Sequence, residues 1–255
     1  MSQTVISTQP GVVVQPTGTV WMPMPEIMQG VPSGLEYLTY LDHLMVYQLK
    51  ELIEIVTDWE TRNKYVLKNA NGEQTYYAFE ESGCCVRQCC AENRGFIMHI
   101  VDNFKKEVIT IKRDFKCCAG GMSCLAFCGC CQQECTVESP TAGLLGSIRQ
   151  RCACCSSAFD VLDSNGDVIF KIDGPCSCLM IGCQDKEFPI KTLNGTVIGA
   201  ITKKWGGFCR EALTDADTFA VNFPGDLDVK LKAVLLGATF LIDFMEFEKP
   251  SNRND

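Results

Sequence analysis

The 255-residue sequence has no Lys or Arg before Lys50, only two histidines, no PxxP motif and no uncharged apolar run of bilayer length. Each absence narrows what the chain can be. With neither a basic start nor a long apolar core near its beginning, it shows none of the features of a secretory leader, so a cytosol-facing protein is expected. His43 and His99 have no Ser or Cys elbow beside them, so a nucleophile–base pair is not expected and the chain is read as a non-enzyme. Pro10, Pro16, Pro23 and Pro25 are spaced so that no PxxP arises, which removes the usual ligand of polyproline-reading modules. The net charge of −8 excludes a broadly positive surface of the kind nonspecific nucleic-acid binding needs, although local basic clusters remain free to act.

What the sequence has in plenty is carboxylate beside apolar surface near its C-terminal end. Asp215, Asp217 and Asp226 stand at positions one, three and twelve of a calcium-loop spacing, with Phe219 at five and Val221 at seven, where a backbone carbonyl serves as ligand. The match is partial. Ala220 occupies the place of the turn glycine, and Asp226 is shorter than the usual bidentate Glu, so any calcium affinity is expected at the weak end, about 10⁻⁴ to 10⁻³ M. An acidic surface turn is the plain alternative.

Lys232 and Asp243 bracket ten uncharged residues, Ala233 to Ile242. A span of the bilayer takes roughly 20, and a carboxylate at its centre costs about 2.5 to 3.5 kcal/mol. Apolar residues cover every face of this segment, which fits a helix enclosed by the rest of the fold. Extending it from Leu231 to Phe247 keeps a single-pass C-terminal span as the alternative.

Eighteen cysteines in a chain expected to face the cytosol call for something other than disulfides. Cys128, Cys131, Cys152 and Cys155 have the spacing of a four-cysteine zinc site. The competing chemistry is S-acylation, which wants thiols among apolar side chains; Met122, Leu125, Ala126 and Phe127 supply that setting. Two or more acyl chains anchor where one does not, so clustering is physically sensible. Unmodified cysteines remain the third reading.

Alternation around Asn-Gly marks three hairpins, Lys64 to Phe79, Ala158 to Ile172 and Phe188 to Ile201; Phe96 to Arg113 makes a fourth around Asp102 to Lys106. Two before the cysteine segment and two after it predict a duplicated, mostly antiparallel sheet. Such a sheet hides its edges by closing on itself, and an all-round apolar helix then belongs in the middle. Residues 1–31 read as a disordered tail, 32–249 as the folded unit and 250–255 as a short polar end.

The C-terminal pattern DADTF…NFP…DLDVK…AVLLGA.FLIDFM.FE resembles that of the phospholipid scramblase family. GLEYL from Gly34, ELIEIVTDWETRNKYVLKNANGE from Glu51, the CC…CC pairs from Cys84 to Cys90, EVITIKR from Glu107, GPC from Gly174 and REALTDAD from Arg210 are similar to family signatures in the same order. The resemblance implies a tubby-like closed antiparallel barrel of about twelve strands around a buried C-terminal helix. It also implies calcium-activated, energy-independent, bidirectional movement of phospholipids between leaflets, with calcium on the Asp215 to Asp226 segment. Palmitate is implied at Cys128, Cys130 and Cys131, with Cys124 nearby, although Ala126 and Phe127 replace two family cysteines and Gly129 a proline. GAITKKWGGF resembles the family's nuclear-import segment through Lys203, Lys204 and Trp205, with Ala200 in place of a lysine. The expected setting is the cytoplasmic face of the plasma membrane, lipid-anchored, with the nucleus and nucleic acid as family-implied destinations of the unacylated chain. The other function class is a lipid-anchored or nuclear-shuttling module that binds phosphoinositides or proteins without moving lipid.

Overall fold

The structure, a computed structural model, describes residues 20–49, 63–81, 95–116, 131–154, 156–176, 184–206 and 217–247. Twelve strands close into one antiparallel barrel in which every strand pairs with its neighbour in sequence and β1 pairs with β12. They are β1 (His43–Leu49), β2 (Lys64–Lys68), β3 (Gln74–Glu81), β4 (Phe96–Val101), β5 (Glu107–Arg113), β6 (Glu134–Ser139), β7 (Gly143–Arg151), β8 (Ser156–Asp163), β9 (Val168–Cys176), β10 (Lys186–Thr192), β11 (Val197–Lys203) and β12 (Thr218–Asn222). A short helix α1 (Glu36–Thr39) precedes them, and helix α2 (Val229–Ile242) follows, running on into a π-helical turn at Asp243–Phe247.

The four expected hairpins are present. Gly72, Gly166 and Gly195 have φ of 80°, 88° and 88°, the left-handed conformation the Asn-Gly turns require. A fifth hairpin, β6–β7, carries no Asn-Gly; its turn ends at Gly143 with φ 70°, which is why the motif did not reveal it. Strands β1 and β12 supply the closure, so the barrel has no free edge.

Helix α2 fills the barrel. From Lys232 to Ile242 every residue is buried. Asp228 caps it, its side chain accepting from the Lys230 N–H. Small residues set the fit: a Cβ on Gly237 would lie 2.5 Å from Val137 Cγ2, and one on Gly146 2.8 Å from Val234 Cγ2. At the far end Phe240 meets Tyr65 edge-on at 5.0 Å, and Phe244 stacks on Phe96 at 4.1 Å.

The two charges that bracket the apolar run lie inside the barrel. Lys232 is fully buried, its Nζ donating to the carbonyls of Leu38 (2.9 Å), Leu41 (2.7 Å) and Gly225 (2.7 Å). Three N–H bonds are what an ammonium can make, so burial is compensated; desolvation still lowers its pKa from the usual value. Asp243 is also buried and accepts from Tyr65 Oη at 2.7 Å. Ahead of α1, Trp21 bridges Gln74, Met22 N–H donates to the Gln74 carbonyl and Gln74 N–H to the Val20 carbonyl, so residues 20–22 run against β3.

Candidate functional site

Because each strand pairs with the next, connections alternate between the two ends of the barrel. The short hairpin turns share one end with the start of α2, whose Lys232 reaches Leu41 just before β1. The opposite end collects the long connections together with the four-residue one after β7. The cysteine-bearing segments after β3, β5, β7, β9 and β11 all leave from strand ends at this pole. The C-terminus of α2 is there too: Phe244 stacks on Phe96 of β4, Phe247 approaches Phe219 of β12, and Ser157 of β8 donates to Glu246. Four groups of cysteines and the lone Cys209, spread through the sequence, thus belong to connections anchored around one rim.

Of the acylation candidates, Cys124, Cys128 and Cys130 lie outside the described residues, whereas Cys131 is described and buried. Burial withholds its thiol from an acyl donor. Cys152 and Cys154, which were not among the acylation candidates, are exposed at the same rim. For the zinc spacing, Cys131 precedes β6 and Cys152 follows β7, neighbouring strands whose ends meet through Gln132 Nε2 on the Gln150 carbonyl at 2.8 Å. Cys128 and Cys155 lie outside the described residues, and among the described residues no group of three or more ligating side chains is placed to hold a metal.

The acidic segment does not fold as one loop around an ion. Asp215 lies outside the described residues; Asp217 precedes β12, Phe219 and Val221 are buried within it, and Asp226 is exposed beyond its far end. A five-residue strand separates its ends by about 17 Å. Its backbone is committed on both sides, Val221 to Leu44 and Ile201, Phe219 to Val46 and Lys203. The expected set Asp215, Asp217, Phe219, Val221 and Asp226 therefore does not fit a single calcium ion, because an extended strand cannot wrap one.

The structure instead joins the acidic segment to the nuclear-import-like one. Lys203 Nζ lies 2.7 Å from Asp217 Oδ1 and 4.0 Å from the Phe247 ring centroid, so one cation ties β11, β12 and the end of α2 together. Lys204 pairs with Asp185 at 2.9 Å, and Asp185 also accepts the Trp205 N–H at 2.9 Å. That N–H, with Lys204 second, holds the Asp185 carboxyl below its usual pKa. All three import-like residues are engaged within the barrel rim. Sequence spacing could not show this pairing, which depends on β11 lying beside β12.

A closed twelve-strand antiparallel barrel threaded by an apolar C-terminal helix, with a cysteine-rich rim where that helix ends, defines the class of protein. The Scramblase family profile matches residues 22–249, and the chain belongs to that family. It is 44% identical over 241 residues to phospholipid scramblase 1 of Mus musculus, covering 93% of this chain and 70% of that one. It is 41% identical over 248 residues to phospholipid scramblase 2 of Homo sapiens (96% and 79% covered). It is 40% identical over 220 residues to phospholipid scramblase family member 5 of Homo sapiens (86% and 78%). No solved structure matches the chain.

Proposed function

We propose that the chain moves phospholipids between membrane leaflets passively and in both directions, held at the cytoplasmic face of the plasma membrane by acyl groups on its cysteine-rich rim. The observation that carries this reading is family membership across nearly the whole chain, with relatives whose names state the activity. The filled barrel constrains how it is done. Side chains of α2 occupy the interior, so a polar headgroup has no lumen to pass through and the route follows the outside of the barrel. Among the described residues no helix is long and apolar enough to cross a membrane.

Calcium activation belongs to the same proposal and rests on the family resemblance alone, since the acidic spacing is split by β12; no step is derived through the ion. Reconstitution in vesicles carrying a fluorescent phospholipid tests both parts. Calcium-triggered lipid movement by the wild-type chain, retained in Asp215→Ala with Asp226→Ala, is the expected result. Loss of calcium triggering in the double variant would return the acidic segment to activation, and absence of movement by the acylated wild-type chain would remove scrambling itself. The packed interior also favours a second reading, a lipid-anchored or nuclear-shuttling module that binds phosphoinositides or proteins. Membrane binding after acylation with no lipid movement at any calcium level would select it.

A further inference from the structure

Two phenylalanines are left in solvent among the described residues, Phe104 at 65% and Phe115 at 48% exposure. They flank the same strand. Phe104 sits in the turn before β5, Phe115 two residues after it, and each is followed by lysine: Lys105 and Lys106 at one end, Lys116 at the other. Between them Lys112 is the exposed residue of β5, while Ile109, Ile111 and Arg113 are buried. Residues 102–116 carry five cations against three carboxylates, but Arg113 is buried and Lys112 pairs with Glu138 of β6 at 2.8 Å, so the positive character of this flank lies mainly at the two ends of β5, on Lys105, Lys106 and Lys116.

The exposure of Phe104 is built in. Asp102 Oδ1 accepts the N–H groups of Phe104 (2.8 Å) and Lys106 (2.9 Å), the Lys105 N–H donates to the Asp102 carbonyl at 3.0 Å, and Lys105 takes φ 60°. A turn fastened in this way presents the ring outward without any reordering. Aromatic rings beside lysines are the combination that lies stably in the headgroup layer of an anionic membrane, the rings gaining burial and the ammoniums the negative surface potential.

We propose that the β5 flank is a docking stripe, with Phe104, Lys105 and Lys106 at one end and Phe115 and Lys116 at the other, that lays the barrel side-on upon an anionic lipid bilayer. The two ends are at least the length of β5 apart, about 23 Å, which fixes orientation as well as attachment. Phe115 also stands next in sequence to the cysteine segment, so acylation would reinforce a contact the strand has already made. The stripe rests on the reading that the chain works at a bilayer, but it concerns adsorption of the unacylated chain and is separable from lipid movement.

The test is flotation of the full unacylated chain with vesicles of phosphatidylcholine alone or mixed with phosphatidylserine. The wild-type chain is expected to float with the mixed vesicles. Phe104→Asp with Phe115→Asp should lower that binding about tenfold or more, and Lys105→Glu with Lys106→Glu should lower it similarly and flatten its salt dependence. Leu193→Asp, at an equally exposed residue whose turn carries no lysine, should bind as wild type. In a second measurement Phe104→Trp should add fluorescence that dibrominated phosphatidylcholine quenches. Wild-type binding by the stripe variants, equal loss in Leu193→Asp, or an unquenched Trp at 104 would overturn the stripe. Lipid-movement assays on the acylated chain run alongside, so failure of the stripe and failure of scrambling appear in different measurements.

Discussion

Replacing Lys232 by Met keeps most of the side-chain volume and removes the ammonium and its three donors. Because the charge leaves with the side chain, no ion is stranded, and the cost comes from the acceptors. The Leu38 carbonyl keeps the Leu41 N–H at 3.3 Å and Gly225 is an exposed residue whose carbonyl water can reach, so one buried carbonyl, that of Leu41, loses the only donor seen for it. At about 1 to 3 kcal/mol for a buried acceptor without a donor, the loss is about 1 to 3 kcal/mol, with relief of ammonium desolvation pulling toward the lower figure. For a domain of this size the midpoint should fall by roughly 2 to 10 °C. Urea and thermal denaturation of the purified chain measure it, with Lys230→Met, an exposed lysine two residues past the cap, as a control expected within about 0.5 kcal/mol of wild type. A Lys232→Met loss below about 1 kcal/mol would show that the buried ammonium does not fasten α1 and the β12–α2 turn to the helix.

Gly237→Ala sets a helix-propensity gain of about 1 kcal/mol against a Cβ 2.5 Å from the stiff Val137 side chain, and overpacking at about 1 to 3 kcal/mol should win, seen as a lower urea midpoint. Tyr65→Phe removes the buried donor to Asp243 and should cost about 1.5 to 3 kcal/mol in the same assay. Burial pushes the Cys135 thiol up to about 12 and the Tyr37 and Tyr77 phenols to about 12. The unfolded chain therefore releases these protons first, and stability present below pH 9 should fall between pH 9 and 12 by up to about 1.4 kcal/mol per group per unit. Lys232 acts with the opposite sign just below 10.5, so the fall should be steeper in Lys232→Met. Iodoacetamide should label Cys152 and Cys154 in the folded chain and Cys135 only after unfolding, which peptide mass spectrometry will resolve.

The strands were legible where their turns were. Asn71-Gly72, Asn165-Gly166 and Asn194-Gly195 announce hairpins through local backbone chemistry, and the apolar run announces a buried helix through composition on all faces. The candidate site was legible only as separate pieces. Asp217 and Lys203 are fourteen positions apart in sequence with no periodic relation; only the pairing of β11 with β12 makes them an ion pair. The same pairing undoes the calcium spacing, because a ligand pattern written along a chain holds an ion only when that chain curls, and β12 is extended.

By itself the sequence determined the class of the fold, the family and the enclosure of the C-terminal helix, since turn propensity and hydrophobicity act over a few residues. Tertiary structure decided that Lys232 and Asp243 lie inside, that Cys131 is covered while Cys152 is not, and that scattered cysteine clusters share one rim. Those outcomes depend on which strand ends meet, and strict alternation of twelve strands around a filled barrel is a property of the closed whole.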